Sequence, residues 1–233
     1  MIDFESFEAL SFDCYGTLID WESGIVAALR PVLSAHGIEL STDEILHHYS
    51  ASEPAAQGGE FVDYKHVLRR VVGEFGNQTG FDPSASELDC LSDSIKDWKP
   101  FPDTVDALAT LKKSYKLVII SNVDDDLFVE TAKQLQVNFD RVITAEQVGS
   151  YKPSHRNFEA AFEKTGVPKE RFLHVAESLY HDIGPANELG ITSVWVNRHP
   201  GAQGGGASTA TSATPDLEVP DLKTLVDTIG LGG

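Results

Sequence analysis

The stretch Phe12-Asp13-Cys14-Tyr15-Gly16-Thr17-Leu18 determines the fold that the rest of the chain completes. Residues 9–12 are predicted to form a short buried strand, which places Asp13 at the carboxyl end of that strand. Gly16 permits a sharp turn, and Thr17 offers a hydroxyl to whatever the turn encloses. Ligands of α/β sheets bind at this end of the strands, where a carboxylate can act as a nucleophile that forms an ester. Taken alone, the segment is more typical of a strand followed by an ordinary turn.

The composition is that of a folded protein with a strong negative charge. The chain has 233 residues, of which 41% are hydrophobic and 23% are charged, enough for one large domain or a core domain with an insertion. Its 18 basic and 36 acidic residues give a formal net charge of −18. Because nucleic acid and anionic membranes repel such a surface, we expect neither as a partner. A small anionic substrate would need a local cluster of basic groups or amides.

The cysteines and the amino terminus indicate a cytoplasmic location. Cys14 and Cys90 are the two cysteines, too few for a disulfide framework, so a reducing compartment is expected. The first residues are acidic and contain no apolar segment of the kind found in signal peptides. No apolar run approaches the length that spans a membrane, and no pattern predicts an oligomeric state.

The region 21–98 is predicted to contain helices and no strand. Helical patterns cover 22–35, the segment after a capping box at Ser41 and Glu44, 61–75, and 86–97. Because this helical block interrupts a strand-rich chain after its first strand, we expect it to form a separate cap over the active-site end of the sheet. The predicted cap is 21–98, and the predicted core consists of 1–20 and 99–233.

Beyond the cap, strands alternate with helices. Strands are predicted at 116–121, 141–144, 172–176, 193–197 and 217–219, and helices at 104–111, 125–135, 154–164, 182–189 and 221–229. This alternation is typical of an α/β fold with a right-handed, doubly wound parallel sheet. The glycine-rich segment 201–215 has no periodicity and is predicted to be a mobile surface loop.

Polar side chains follow the predicted strands at the point where each strand ends. They are Ser121, Asn122, Lys152, Glu177, Ser178 and Asp182. Each alone is explained as a turn or a helix cap. Because the carboxyl ends of parallel strands lie along one edge of a sheet, however, all of them are expected to converge on Asp13. This convergence favours a functional site over a set of unrelated turns.

The ordered set resembles the haloacid dehalogenase superfamily of aspartate-nucleophile hydrolases. The matching motifs are Asp13-Cys14-Tyr15-Gly16-Thr17-Leu18, Ser121-Asn122, Lys152-Pro153 and Glu177-Ser178-Leu179-Tyr180-His181-Asp182. The resemblance spans essentially the whole chain and implies a Rossmann-like core with an inserted helical cap. It also implies a covalent aspartyl intermediate on Asp13. Thr17, Ser121 and Asn122 would hold the substrate, and Lys152 would neutralise the charge around Asp13.

Tyr15 favours one subgroup of this superfamily. Its phosphatases usually have a second aspartate two positions after the nucleophile, which protonates the leaving oxygen. A phenol is a far weaker acid, whereas a halide leaves without any proton. The motif is therefore similar to that of the L-2-haloacid dehalogenases, which implies attack of Asp13 on C2 of a 2-haloacid and ester hydrolysis by water activated by Asp182. No cofactor is expected for this reaction.

Glu177 supports an alternative, a Mg²⁺-dependent phosphatase acting on a small phosphate ester. The matching position in the dehalogenase subgroup is usually neutral, whereas in the phosphatases it is an acid that helps to bind Mg²⁺. Asp13, the Tyr15 carbonyl, Glu177 and Asp182 would then form an oxygen site for the cation. A third hypothesis is a catalytically silent scaffold protein, against which the intact Asp13 and Lys152 argue.

Several residues are candidates for the group that would bind a substrate carboxylate. The resemblance implies an arginine early in the cap, but the comparable segment 46–49 contains none. Arg69, Arg70 or Lys65 are the basic residues available as substitutes, and Tyr15 and Ser178 are further candidates for substrate contact. His47, His48 and His181 do not have the spacing of a transition-metal site and are interpreted as ordinary surface or helix-end histidines.

Overall fold

The computed structural model describes residues 2–199 and 212–232 of the chain. Within them lies one parallel sheet of six strands: β1 (Ala9–Phe12), β2 (Lys116–Ser121), β3 (Arg141–Thr144), β4 (Phe172–Ala176), β5 (Thr192–Val196) and β6 (Leu217–Val219). Their order is β3-β2-β1-β4-β5-β6, which is the strand order of a Rossmann-like sheet. Most of the segment predicted to be a mobile loop lies outside the described residues.

The short strand β1 lies near the centre of the sheet, between β2 and β4. Phe12 pairs with Ile119 on one side and with Val175 on the other. All four residues of β1 are buried, since helices cover both faces of a doubly wound sheet, which explains its apolar sequence. As all the strands are parallel, the residues that follow β1, β2 and β4 meet at one edge.

Helices on both faces enclose the sheet. The helices of the core are α6 (Thr104–Leu111), α7 (Asp125–Leu135), α8 (Ala145–Val148), α9 (Arg156–Thr165), α10 (Gly184–Leu189) and α11 (Leu222–Ile229). Alternate residues of β2 belong to different hydrophobic clusters, Ile119 with Leu108 of α6 and Ile120 with Phe158 of α9. This alternation is that of a strand buried on both faces.

The predicted helical cap is present between β1 and β2. It contains α1 (Trp21–Ala35), α2 (Thr42–Gln57), α3 (Tyr64–Thr79), α4 (Ala85–Leu88), α5 (Cys90–Ser94) and a 3₁₀ turn at Ile95–Asp97. The capping box predicted at Ser41 opens α2. The two connections to the core run side by side, because Phe101 N donates to Leu18 O at 3.0 Å and Asp20 N donates to Lys99 O at 2.8 Å.

Several helix bounds differ from the sequence prediction. The helix predicted at 61–75 begins at Tyr64, because the Asp63 side chain accepts a hydrogen bond from His66 N and caps it there. The helix predicted at 86–97 is divided into α4, α5 and the 3₁₀ turn. The helix predicted to start at Asp182 is preceded by a turn of π-helix at Leu179–Ile183, a form that occurs often at functional sites.

No helix within the described ranges is both long enough and apolar enough to cross a membrane.

Candidate active site

A cavity of about 60 Å³ lies at the carboxyl ends of β1, β2 and β4, beneath α1, α2 and α3. The core contributes Asp13, Tyr15, Ser121, Asn122, Lys152, Glu177, Ser178, His181 and Asp182 to its lining, and the cap contributes Trp21, Ser50, Glu53, Pro54 and Tyr64. Most of the residues predicted from the strand ends therefore lie together. The volume holds only a few water molecules, which suits a small substrate.

Lys152 joins the two aspartates of the site. Its Nζ donates to Asp13 Oδ1 at 2.8 Å, to Asp182 Oδ1 at 2.7 Å and to Ile120 O at 2.8 Å. These contacts use all three protons of the ammonium group, and the side chain is only 2% exposed. Burial opposes the charge, but the two carboxylates more than offset it and raise the pKa of Lys152. The lysine is therefore charged and occupies the space between two acids.

Asp13 is buried and held at both oxygens. Besides the Lys152 contact at Oδ1, Oδ2 accepts a hydrogen bond from the Thr17 hydroxyl at 2.9 Å. Burial raises the pKa of Asp13, and the charge of Lys152 opposes that rise. The direct contact with an ammonium group keeps the carboxylate ionised at neutral pH, as a nucleophile requires.

The sequence predicted that Thr17 contacts the substrate, but its contacts in the structure are with protein atoms. Its hydroxyl donates to Asp13 and accepts from Glu177 N at 2.9 Å. The residue is fully buried and does not line the cavity. Thr17 therefore orients the carboxylate of Asp13 from behind the cavity lining.

Asp182 lies fully buried at the wall of the cavity. Its Oδ1 is shared by Lys152 and by His174 Nε2, which lies at 2.9 Å, whereas its buried Oδ2 has no hydrogen-bond partner. Burial raises the pKa of this carboxyl, but Lys152 and His174 outweigh it and hold the pKa at about 2. Asp182 is thus ionised, with a lone pair available to a water molecule.

His174 and Ser11 form a buried pair behind Asp182 that the sequence analysis missed. His174 Nδ1 lies 2.9 Å from Ser11 Oγ, and both residues are essentially inaccessible to solvent. They are register partners on β4 and β1. The signal available in the sequence was a polar residue at matching positions of two otherwise apolar strands.

Asn122 lines the cavity, as predicted, and it also binds the backbone of Lys152. Its Nδ2 donates to Lys152 O at 3.1 Å, and its Oδ1 accepts from Lys152 N at 2.7 Å. Because both ends of the amide bind the backbone of Lys152, Asn122 fixes the lysine at the edge of the cavity. The neighbouring Ser121 is the better candidate for substrate contact, since its buried Oγ has no partner.

Tyr15 lines the cavity, but its hydroxyl is engaged elsewhere. The hydroxyl lies 2.8 Å from Thr131 Oγ1 on α7, and Thr131 does not line the cavity. Burial raises the pKa of Tyr15 well above its usual value. Tyr15 can therefore contact a substrate through its ring but cannot protonate a leaving group.

Glu177 and His181 both lie at the cavity. Glu177 is 4% exposed, and a Cβ atom on Gly16, whose φ is +96°, would lie 3.3 Å from its Oε2. Ser178 caps the π-helical turn by accepting from His181 N at 3.0 Å. Burial lowers the pKa of His181, so its ring is neutral. His181 lies at a helix end, as interpreted from the sequence, but it is half-buried and lines the cavity, which the sequence did not indicate.

The predicted magnesium ligands do not fit a metal site. Across the part of the chain that the structure describes, no three His, Cys, Asp or Glu side chains are grouped so that they could hold a metal ion. Lys152 Nζ contacts both Asp13 and Asp182. Tyr15 and Glu177 line the same cavity, but they do not form a metal-binding group with the two aspartates.

The basic residues proposed for the substrate carboxylate lie away from the cavity. Arg69 pairs with Asp89, Arg70 Nη1 donates to Ala56 O at 2.9 Å, and Lys65 Nζ contacts Asp126 at 2.7 Å. None of the three lines the cavity. The prediction that they bind the substrate was wrong because all three lie on α3 with their side chains directed to partners outside the cavity.

Comparisons with known proteins agree with this geometry. The model of the haloacid dehalogenase-like hydrolases matches residues 7–190. An (S)-2-haloacid dehalogenase of Pseudomonas fluorescens is 29% identical, covering 82% of this chain and 85% of that protein. A glyceraldehyde 3-phosphate phosphatase of Methanothermobacter thermautotrophicus is also 29% identical, covering 82% and 85%.

Among solved structures, an L-2-haloacid dehalogenase from Xanthobacter autotrophicus, with chloropropionic acid covalently bound, superposes with a TM-score of 0.79. It is 23% identical, and the alignment covers 96% of this chain and 98% of that one. At this identity the likeness concerns the fold.

Proposed function

The chain belongs to the haloacid dehalogenase-like hydrolases, and on that premise we propose that it is a 2-haloacid dehalogenase, which replaces the halogen at C2 of a small 2-haloacid with a hydroxyl group. The observation that supports this most is the state of Tyr15. Its hydroxyl is bonded to Thr131, so the position that would protonate an alkoxide in a phosphatase has no acid. A halide ion needs no proton to leave.

In the first step, an Asp13 carboxylate oxygen attacks C2 of the substrate. The new C–O bond forms as the C–halogen bond breaks, and the halide leaves with the bonding electrons, which inverts the configuration at C2. Thr17 and Lys152 hold the carboxylate in place through one hydrogen bond to each oxygen. Ser121 Oγ, which is buried without a partner at the cavity, is proposed to contact the bound acid.

In the second step, water opens the ester of Asp13. Asp182 Oδ2 accepts a hydrogen bond from the water, whose oxygen attacks Cγ of Asp13. One proton of the water passes to the 2-hydroxy acid oxygen as the ester bond breaks, the other is released to solvent, and Asp13 returns as a carboxylate. With a pKa of about 2, Asp182 is a weak base, so its contribution is to orient and polarise the water.

The core is proposed to consist of 1–20 and 99–233 and the cap of 21–98, with substrate bound between them. No metal is assigned a role in either step. The cytoplasmic location predicted from the sequence is consistent with the two cysteines, buried Cys14 and half-buried Cys90, which are both free thiols.

The second candidate, a Mg²⁺-dependent phosphatase, is favoured by one observation, the buried Glu177 at the cavity. We expect the protein to release halide from L-2-chloropropionate at the same rate with and without a chelator, and to release no phosphate from an aryl phosphate. Glu177→Gln is expected to have a mild effect on halide release. Phosphate release that a chelator abolishes would favour the phosphatase hypothesis over the dehalogenase hypothesis. Inactivity in both assays would favour the hypothesis of a catalytically silent scaffold.

His174 is proposed as a positioning residue for Asp182. Replacing His174 by phenylalanine is expected to lower kcat up to about a hundredfold through misorientation of Asp182, with little change in KM. Loss of the His174 hydrogen bond also raises the pKa of Asp182, so the acid limb of the pH profile of kcat should move to higher pH.

Phe158→Leu is the matched control for that variant. Phe158 packs edge-on against the His174 ring, with 4.9 Å between the ring centroids, and makes no hydrogen bond to Asp182. It should disturb packing without moving the acid limb. Equal shifts in both variants would mean that His174 acts only through packing.

A further inference from the structure

The cavity has more acidic than basic side chains in its lining, which is unexpected for a site that binds an anion. Its lining includes four carboxyl groups, those of Asp13, Glu53, Glu177 and Asp182, against one amine, that of Lys152. All protons of the Lys152 ammonium group are donated to protein oxygens, and the His181 ring is neutral. Among the lining residues in the described part of the chain, therefore, no cation is available to bind a substrate carboxylate.

Glu53 is the acid that faces the cavity from the cap. It lies on α2 and is 9% exposed. Its Oε1 accepts a hydrogen bond from the Tyr64 hydroxyl at 2.9 Å and a longer one from the Tyr49 hydroxyl at 3.4 Å. The two hydroxyls lie 3.0 Å apart. The tyrosines therefore direct one oxygen of the carboxyl group into the cap.

The surroundings of Glu53 favour its neutral form. Burial raises the pKa of Glu53, and the charge of Asp13 across the cavity raises it further, although hydrogen bonds with Tyr64, Tyr49 and Gln57 oppose the rise. In the described part of the chain, no ion pair joins Glu53 to a cation.

The other titratable groups around Glu53 do not supply a positive charge that could bind a substrate carboxylate. Tyr151 on the core side is kept neutral by burial, which raises its pKa. Asp124, which accepts hydrogen bonds from the Tyr64 and Lys65 amides, adds negative charge. Arg70 on α3 is bonded to Ala56 O. A buried carboxyl group with such neighbours can serve as a hydrogen-bond donor at neutral pH.

We propose that protonated Glu53 binds the carboxylate of the substrate, with Oε1 held by the tyrosines and the proton on Oε2 donated to a substrate oxygen. This inference rests on the proposed function, because it supplies the carboxylate contact that a 2-haloacid requires. The acid–carboxylate pair shares one proton, so binding takes up a proton whenever Glu53 is ionised in the free enzyme. The site would thus accept a carboxylate without an arginine.

The test measures binding of D-lactate, the expected product from L-2-chloropropionate, by titration calorimetry over a range of pH. For the wild-type protein, Kd should be constant at low pH and rise about tenfold per pH unit above the pKa of Glu53. In the rising range, heats measured in buffers of different ionisation enthalpy should reveal uptake of one proton.

Glu53→Gln supplies a donor that does not titrate, so it should bind D-lactate with a nearly constant Kd and no proton uptake. Glu60→Gln, which removes an exposed acid of the cap, is the matched control and should behave as wild type. The inference is overturned if wild type and Glu53→Gln have the same pH dependence, or if D-lactate does not bind at any pH. The inference would also be overturned if the wild type, but not Glu53→Gln, bound neutral lactamide more tightly than lactate. That result would mean that Glu53 is ionised.

Halide release separates this inference from the proposed function. Proton-coupled lactate binding without halide release from any 2-haloacid would contradict the dehalogenase and leave the role of Glu53 standing. Halide release together with pH-independent lactate binding would support the dehalogenase and contradict the role proposed for Glu53.

Discussion

Replacing Asp13 by asparagine is expected to abolish turnover and to leave the fold intact. Without an ionised oxygen at this position no ester can form, and removal of a catalytic nucleophile typically lowers kcat by roughly 10⁵–10⁶-fold. The amide oxygen of an asparagine can still accept the hydrogen bond that Lys152 donates to Asp13 Oδ1. Halide release from L-2-chloropropionate measures the first effect and thermal unfolding the second.

Asp106→Asn is the matched control for the nucleophile. Asp106 lies exposed on α6, and its replacement should leave halide release and the unfolding temperature at wild-type values. Full activity in the Asp13 variant, with the asparagine verified by mass spectrometry, would place the reaction centre elsewhere.

Replacing Lys152 by methionine should have the largest effect on stability as well as abolishing activity. The change leaves Asp13 and Asp182 buried without the ammonium that contacts both of them. Breaking a buried ion pair from one side typically costs about 3–5 kcal/mol in the free energy of unfolding. Chemical denaturation at neutral pH measures this loss.

The destabilisation by Lys152→Met should depend on pH in a defined direction. Without Lys152, the pKa values of both buried carboxyls in the folded state rise above their unfolded values. The cost is therefore present above the folded pKa and declines as the pH falls and the carboxyls take up protons. Lys116→Met, which breaks an exposed pair with Glu8, should change stability by less than about 1 kcal/mol. Equal losses in the two variants would contradict a buried ionic centre.

The sheet was predictable because its strands are buried on both faces. The bounds of β2 and β4 agree with the apolar runs in the sequence, and parallel pairing was enough to bring Asp13, Lys152 and Asp182 together. The six-stranded sheet and the helical cap of this family are confirmed. Helix bounds in the cap were less predictable, since they depend on local side-chain caps such as Asp63.

The individual contacts inside the site were not predictable in the same way. Thr17 and Asn122 follow strand ends as substrate-binding residues would, yet their hydrogen bonds go to Asp13 and to the Lys152 backbone. Periodicity places a residue on a face of an element but does not say which neighbour its polar atoms meet. Glu53 illustrates this most clearly, because its proposed role depends on a hydrogen bond from Tyr64, a residue on a different helix.

Isotope transfer through Asp13 tests the central claim most directly. In a single turnover with excess enzyme in heavy-oxygen water, the account predicts a 2-hydroxy acid that contains light oxygen from the protein and a heavy oxygen in the Asp13 carboxylate. Mass spectrometry of the product and of the peptide containing Asp13 measures both. Heavy oxygen in the product and an unlabelled Asp13 would mean that water attacks the substrate directly, which would contradict a covalent ester on this residue.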